Sequence, residues 1–262
     1  MSERSDGSIS LDVRDGGERW ITLERRNKHN ALSRSLLAEL ANAVNVAAGD
    51  ATTGFIVVRG AGERYFAAGG DIVDLADVRT PQQTEAMALE LTAALDALRR
   101  CVVPLVAYVN GDALGGGAEL AVACDMRAAA THARIGFIHG RLAITPAWGG
   151  ATDLVDLVGS SRALRMMARS ELVDAQSALE MGLVDVIAGD GAHGAAMSTF
   201  LQPLRETPPR VLRAMKAQVA AVKRSRSYRA RQAIERRHFI ETWVDADHWK
   251  AVERFLARGE KT

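Results

Sequence analysis

An α/β fold with parallel or mixed sheets and a helical C-terminal region is predicted by three observations. Short apolar runs alternate with longer segments of helical spacing, glycine-rich loops separate the two kinds, and beyond about residue 195 the pattern is almost wholly helical. The 262 residues, 48% of them hydrophobic, suffice for one large core or for one domain with a smaller appendage. We read residues 1–195 as the α/β unit and 196–262 as the helical region.

Ser8 to Val13 and Arg19 to Leu23 alternate polar and apolar residues around Asp15-Gly16-Gly17, the signature of a hairpin. After the loop RRNKHNALS, apolar residues from Leu36 to Ala47 recur at helical spacing, so 34–47 is expected to be a helix. GFIVVRG (54–60) reads as a buried strand, followed by a glycine-rich loop and by a helix over 81–101 that Pro81 opens. The order then repeats: strand PLVAYV, glycine loop, helix from about Gly116, and strands over 126–130 and 134–138. Past TPAWGG, helices are expected at 151–158 and 161–168, then one over 175–181 that Asp174 caps and Gly182 stops. Leu183 to Ile187 is a further short strand, and from His193 onward helices are broken at Thr207-Pro208-Pro209 and near Asp245.

The net charge of +1 hides an asymmetry: residues 1–200 hold 18 Lys/Arg against 25 Asp/Glu, whereas 201–262 hold 15 against 7. The densest basic stretch, KRSRSYRAR (223–231), fits either a nucleic-acid patch or a helix face turned to solvent, ligand phosphates or an acidic neighbouring subunit. Helical spacing and a single interleaved aromatic favour the second. Cys101 and Cys124 lie in apolar contexts without CxxC spacing and are expected to be reduced core thiols. No apolar run reaches membrane-spanning length and the N-terminus lacks a signal-peptide core, so no membrane association is expected and the cytoplasm is the expected compartment.

Two glycine loops, RYFAAGGDI (64–72) and NGDALGGGAEL (110–120), each follow an apolar strand and lead towards a helix. Each can present free backbone N–H groups where the helix dipole also favours negative charge, and two such donors aimed at one point form an oxyanion hole. Tight turns and close strand-to-helix packing would require glycine equally. Neither loop matches the phosphate-binding or dinucleotide fingerprints.

NKHNALS (27–33), YFAAGGDI (65–72), VNGDALGGGAELAVACD (109–125) and TPAWGG (145–150), with the helical tail, resemble the crotonase, or enoyl-CoA hydratase/isomerase, superfamily over nearly the whole chain. The resemblance implies a spiral of ββα turns, C-terminal helices that assemble homotrimers or dimers of trimers, and an acyl-CoA thioester substrate converted through an enolate. Carried over by motif, the N–H groups of Gly70 and Gly116 would form the oxyanion hole. Lys28, Asn30, Ala31 and Leu32, with Ala68, Asp71 and Ile72, would line the CoA nucleotide. Coenzyme A would enter as part of the substrate, with no separate cofactor. Basic residues of the C-terminal helices would reach its phosphates.

Glu119 falls where the resemblance puts one acid/base glutamate of the hydratases, and counting back from Pro146 puts His139 where the second would stand. Hydration needs two opposed acid/base groups, so this departure weakens a crotonyl-CoA hydratase assignment. A histidine there removes repulsion towards a substrate carboxylate, and GGGAEL, FIHGR and TPAWGGA resemble the ethylmalonyl-CoA decarboxylase branch. The leading expectation is therefore a lyase decarboxylating a malonyl-type acyl-CoA, with Glu119 and His139 flanking the α and β carbons. Enoyl-CoA hydration is the alternative, and a non-catalytic acyl-CoA- or RNA-binding protein the reading from another class. Each residue also has a plainer use: Glu119 as a charge near a helix start, His139 as a hydrogen-bonded structural residue, and Trp148 as packing rather than acyl-pocket wall. His29, His132, His193, His238 and His248 show no metal-ligand spacing, so no metal is expected.

Overall fold

The computed structural model describes residues 7–189, 194–223 and 226–259. His193, and the side chains of Lys223, Arg224 and Arg226 in the basic stretch, lie outside the described part. The chain winds as a spiral in which successive turns give one strand to a large sheet, one to a small sheet, and then a helix. β1 (Ser8–Val13) and β2 (Glu18–Glu24) form the expected antiparallel hairpin, and α1 (Arg34–Gly49) follows, its first turn capped by the Ser33 hydroxyl. The next turn is β3 (Phe55–Gly60), β4 (Tyr65–Ala67) and α2 (Pro81–Arg99). Thr80 and Gln83 bond each other's backbone N–H at the start of α2, a reciprocal cap. Then come β5 (Leu105–Val109), β6 (Asp112–Leu114) and α3 (Gly116–Ala123), followed by β7 (Met126–Ala129) and β8 (Arg134–Gly136).

The large sheet has the order β1-β2-β3-β5-β7-β10 and is parallel from β2 onward, where β10 is Val186–Ile187. The small sheet has the order β4-β6-β8-β9, with β9 (Val173–Asp174) antiparallel to β8. β4 and β6 lie inside the two glycine stretches, which the sequence presents as loops. Three-residue strands are too short to show a periodicity, and they are held by their neighbours rather than by their own composition. The strand expected over 134–138 ends at Gly136, because the chain turns into a 3₁₀ segment at Ile138–Leu142. The strand expected over 183–187 is confined to β10.

α4 (Gly150–Val158), α5 (Ser160–Ala168) and α6 (Ala175–Glu180) follow as anticipated, with the Asp174 carboxylate accepting from Ser177 N–H at the start of α6. From β2 to β7 the large sheet is buried on both faces, as its apolar strands require, whereas the edge strand β1 is largely exposed. Ile56 and Val58 face the main core, while Phe55 and Val57 face a second cluster with Trp20 and Tyr108. The C-terminal helices α7 (Ala195–Glu206), α8 (Pro209–Lys223), α9 (Arg226–Trp243) and α10 (Ala246–Gly259) enter both clusters: Met197, Leu201 and Leu212 join the second, and Phe239 and Trp243 the main one.

Several cations of the tail are committed to this docking. Arg205 Nε lies 2.7 Å from Glu18 Oε2, Lys216 pairs with Asp125, and Arg213 donates to the carbonyls of Ala48 and Asp50. Cys101 and Cys124 are buried free thiols; burial pushes both thiols up, that of Cys124 to about 12. Among the described residues no helix is long and apolar enough to cross a membrane.

Candidate active site

Three neighbouring parallel strands of the small sheet, β4, β6 and β8, pair in register at Ala67–Ala113 and Leu114–Gly136, so their C-terminal ends come together. Each runs directly into a segment of the site. β4 leads to Gly69-Gly70, β6 to Gly115-Gly116 and Glu119, and β8 to the 3₁₀ segment that carries His139. An isolated parallel bridge fixes the first segment: Leu32 N–H donates to Gly69 O at 2.8 Å and Asp71 N–H to Leu32 O at 3.0 Å. That bridge uses the groups on either side of Gly70, so Gly70's own N–H faces away from Leu32. Gly116 is the first residue of α3, and its N–H has no intrahelical acceptor.

The three consecutive glycines answer to three separate constraints. Gly115 has φ +52°, a β-carbon on Gly116 would lie 2.2 Å from Trp148 Cζ3, and one on Gly117 would lie 2.1 Å from Ala67 O. Trp148 also packs its ring beside Gly70, where a β-carbon would meet Cη2 at 3.3 Å. The indole therefore stands against both glycines whose N–H groups were expected to act together.

Glu119 is buried on the first turn of α3, where an unpaired carboxylate would cost several kcal/mol. It is not unpaired. Oε2 accepts from the N–H of Trp148 at 2.8 Å and of Gly150 at 3.0 Å, and Oε1 lies 3.1 Å from His139 Nε2. Glu119 thus also caps the start of α4, which opens at Gly150 without a side-chain cap from its own preceding residue. Arg99 holds the same corner from α2: Nη2 donates to Trp148 O at 2.8 Å, and Nε lies 2.8 Å from Asp153. The Nδ1 of His139 is buried and has no hydrogen-bond partner among the described residues.

A cavity of about 1020 Å³ opens onto these groups. Gly70, Gly116, Glu119, His139 and Trp148 all line it, as do Ala68 and Ile72. α9 and α10 also contribute to its lining, with Phe239, Trp243, His248 and Trp249. His248 Nδ1 lies 2.6 Å from Leu142 O, at the end of the segment that carries His139, and burial holds this histidine below its usual range, helped by the Arg79 charge. Among the described residues no group of three or more His, Cys, Asp or Glu is placed to hold a metal ion.

The family model for enoyl-CoA hydratase/isomerase matches residues 17–262. The chain belongs to the enoyl-CoA hydratase/isomerase family. It is an enzyme of the acyl-CoA-handling crotonase superfamily. Ethylmalonyl-CoA decarboxylase of Bos taurus is 33% identical over 83% of this chain and 72% of its own. The 2,3-dehydroadipyl-CoA hydratase of Escherichia coli K12 is 34% identical over 91% of each. Among solved structures, an enoyl-CoA hydratase/isomerase from Mycobacterium paratuberculosis superposes with TM-score 0.83 at 25% identity, over 94% of this chain and 98% of that one.

The remaining residues expected from the family resemblance lie beside the cavity rather than on it. Lys28 is exposed on a 3₁₀ turn, whereas the Asn30 amide is buried and staples the loop to the carbonyls of Ala61 and Tyr65 at 3.0 and 2.8 Å. Leu32 is buried in the core, and Ala31 O accepts from Arg25 at 2.9 Å. Asp71 is tied to Arg25 Nη1 at 2.6 Å, a pairing that holds its carboxyl below the usual range despite burial, which pushes the other way. Arg99 and the α9–α10 wall were not anticipated from the enoyl-CoA hydratase/isomerase motifs. Arg99 is a basic residue at a helix end and the tail aromatics sit in helical segments, so neither carries a local signal of its place in the site.

Proposed function

We propose that this enzyme is an acyl-CoA lyase that decarboxylates a malonyl-type thioester. The observation that carries the reading is the direct 3.1 Å contact between Glu119 Oε1 and His139 Nε2. Hydration calls for two acid/base groups set apart, with water and substrate between them. Here the two groups touch, and the other Glu119 oxygen is occupied by two backbone N–H groups. The pair is suited to deliver one proton from one side.

Decarboxylation needs just that. The bond from the α-carbon to the carboxylate breaks, its electron pair passes into the thioester as an enolate, and carbon dioxide leaves. The N–H groups of Gly70 and Gly116 hold the enolate oxygen, a term worth about 3 kcal/mol per donor in acyl-transfer enzymes. The His139–Glu119 pair then places a proton on the α-carbon and recovers it from solvent. Trp148 forms the wall against which the acyl group lies. The loop Lys28, Asn30, Ala31 and Leu32, with Ala68, Asp71 and Ile72, receives the CoA nucleotide through its backbone, and the C-terminal helices assemble a trimer or a dimer of trimers. The identity to a decarboxylase supports this reading; the identity to the Escherichia coli hydratase supports enoyl-CoA hydration as the second.

Purified protein is incubated separately with ethylmalonyl-CoA, methylmalonyl-CoA and crotonyl-CoA, and loss of CO₂ and addition of water are followed by mass spectrometry. The expected result is CO₂ loss from a malonyl ester that disappears in His139→Ala. Hydration of crotonyl-CoA that survives His139→Ala, with no CO₂ from either malonyl ester, would overturn it.

A further inference from the structure

The part of the cavity lining that α9 and α10 supply has a composition that the reaction itself does not require. Phe239, Trp243 and His248 are buried, and with the half-buried Trp249 their rings form one cluster. Centroid separations are 5.1 Å for Phe239–Trp243, 4.6 Å for Trp243–His248 and 4.6 Å for His248–Trp249. The N–H groups that orient these rings are turned into the protein: Trp243 Nε1 donates to Val78 O at 2.8 Å and His248 Nδ1 to Leu142 O at 2.6 Å. With its pKa lowered by burial, His248 adds no positive charge near neutral pH.

The two arginines of the lining, Arg141 and Arg254, are exposed, and each already donates to a backbone carbonyl, Ser170 O and Lys250 O respectively. The cavity of about 1020 Å³ is lined by Ala68 and Ile72 as well as by the α9–α10 aromatics, so it takes the thioester end of CoA together with the acyl group.

We infer that the α9–α10 wall is a subsite for a bulky, ring-bearing apolar acyl branch, so that the preferred substrate is an aryl-substituted acyl-CoA rather than a short-chain or distally carboxylated one. The inference rests on the acyl-CoA reading of the site. It follows from aromatic side chains that line the same cavity as Glu119 and His139, with Arg79 stacked over one face of Trp249 at 3.1 Å from its ring centre. Aromatic rings pack preferentially edge-to-face or offset on other rings, so a benzyl branch gains more here than an alkyl chain of similar size.

The test separates binding from chemistry. Dissociation constants of the full chain for butyryl-CoA, 3-phenylpropionyl-CoA and adipyl-CoA are measured by calorimetry, and CO₂ release is measured from ethylmalonyl-CoA and benzylmalonyl-CoA. Phenylpropionyl-CoA is expected to bind about 30-fold tighter than butyryl-CoA, the order expected for burying several further carbon atoms. Trp249→Ala, or Trp249→Leu if the first variant folds poorly, is expected to cut that ratio to about threefold. Tight phenylpropionyl-CoA binding without CO₂ from either ester keeps the subsite and removes the decarboxylase reading. Phenylpropionyl-CoA and butyryl-CoA affinities within about threefold of each other, or adipyl-CoA binding tightest, overturn the subsite whatever the reaction proves to be.

Discussion

His139 Nε2 lies 3.1 Å from Glu119 Oε1, and the other Glu119 oxygen is held by the backbone of Trp148 and Gly150. A glutamate and a histidine from neighbouring strand ends of the small sheet are thereby one unit. Glu119→Gln is expected to lower turnover of the responsive substrate by about 10²- to 10⁴-fold, the range for removing a general acid/base. KM should move far less. Glutamine keeps an oxygen for the two N–H groups but offers His139 no carboxylate, so thermal stability should change little. Steady-state kinetics together with a melting curve check this, and unchanged turnover in Glu119→Gln would show that Glu119 is only the cap of α4.

Gly116→Ala is expected to damage the enzyme through a steric route, because its methyl would lie 2.2 Å from Trp148 Cζ3. An alanine retains the N–H, so the loss should come from displacement of the indole and of the strand end behind it. The double variant Gly116→Ala/Trp148→Leu should then recover stability, and part of the turnover, relative to Gly116→Ala alone. A double-mutant cycle measures the coupling, expected to be about 0.5–3 kcal/mol for residues in contact. Strict additivity would mean that Trp148 moves aside without cost.

Legibility in the sequence followed length and chemistry. The long apolar strands such as Phe55–Gly60, and helices with caps such as Thr80 and Asp174, carry their own signals and stand where expected. β4 and β6 could not be read, because three residues flanked by glycine look like loop; yet they are what sets Gly70 beside Gly116. Glu119, His139 and Trp148 were legible as positions in motifs. That Glu119 binds His139 directly, instead of facing it across a substrate, depends on where Trp148 and Gly150 bring their N–H groups. No local pattern encodes that. The α9–α10 wall stayed hidden for the same reason: aromatic residues at helical spacing give no sign of which element they will face.

Arg99, at the end of α2, donates to Trp148 O in the loop before α4, pairs with Asp153 in the first turn of α4 and with Asp96 on its own helix, and its side chain is only 10% exposed. Removing one partner of a largely buried ion pair leaves the others uncompensated, at a cost of about 3–5 kcal/mol. Arg99→Ala is therefore expected to lower stability by about 3 kcal/mol, discounted to the low end for its residual exposure. It should also lower turnover, because Trp148 supplies an N–H to Glu119. Arg99→Lys should recover little, since one ammonium cannot serve three acceptors set around a planar fork. Denaturant unfolding and kinetics on the same preparations test both parts; full stability in Arg99→Lys would show that the three acceptors do not need a guanidinium.

His248 is expected to make the docking of α10 sensitive to pH. Burial holds its folded-state pKa below the ordinary value, so between that lowered value and about pH 6.5 the unfolded chain binds a proton that the folded chain does not. Stability should therefore be fully present above about pH 6.5 and decline as pH falls through the interval between the two pKa values. Protonation would put a second N–H, on Nε2, into a buried position without an acceptor among the described residues, beside the Arg79 charge. His248→Gln keeps an amide that can donate to Leu142 O but does not titrate. The wild-type melting temperature should thus drop more between pH 7.5 and pH 5.5 than that of His248→Gln, although the variant starts lower at pH 7.5 from lost ring packing against Trp243 and Trp249. Parallel melting curves for the two proteins over this range would remove His248 from the pH response, and with it the argument that α10 loosens in acid.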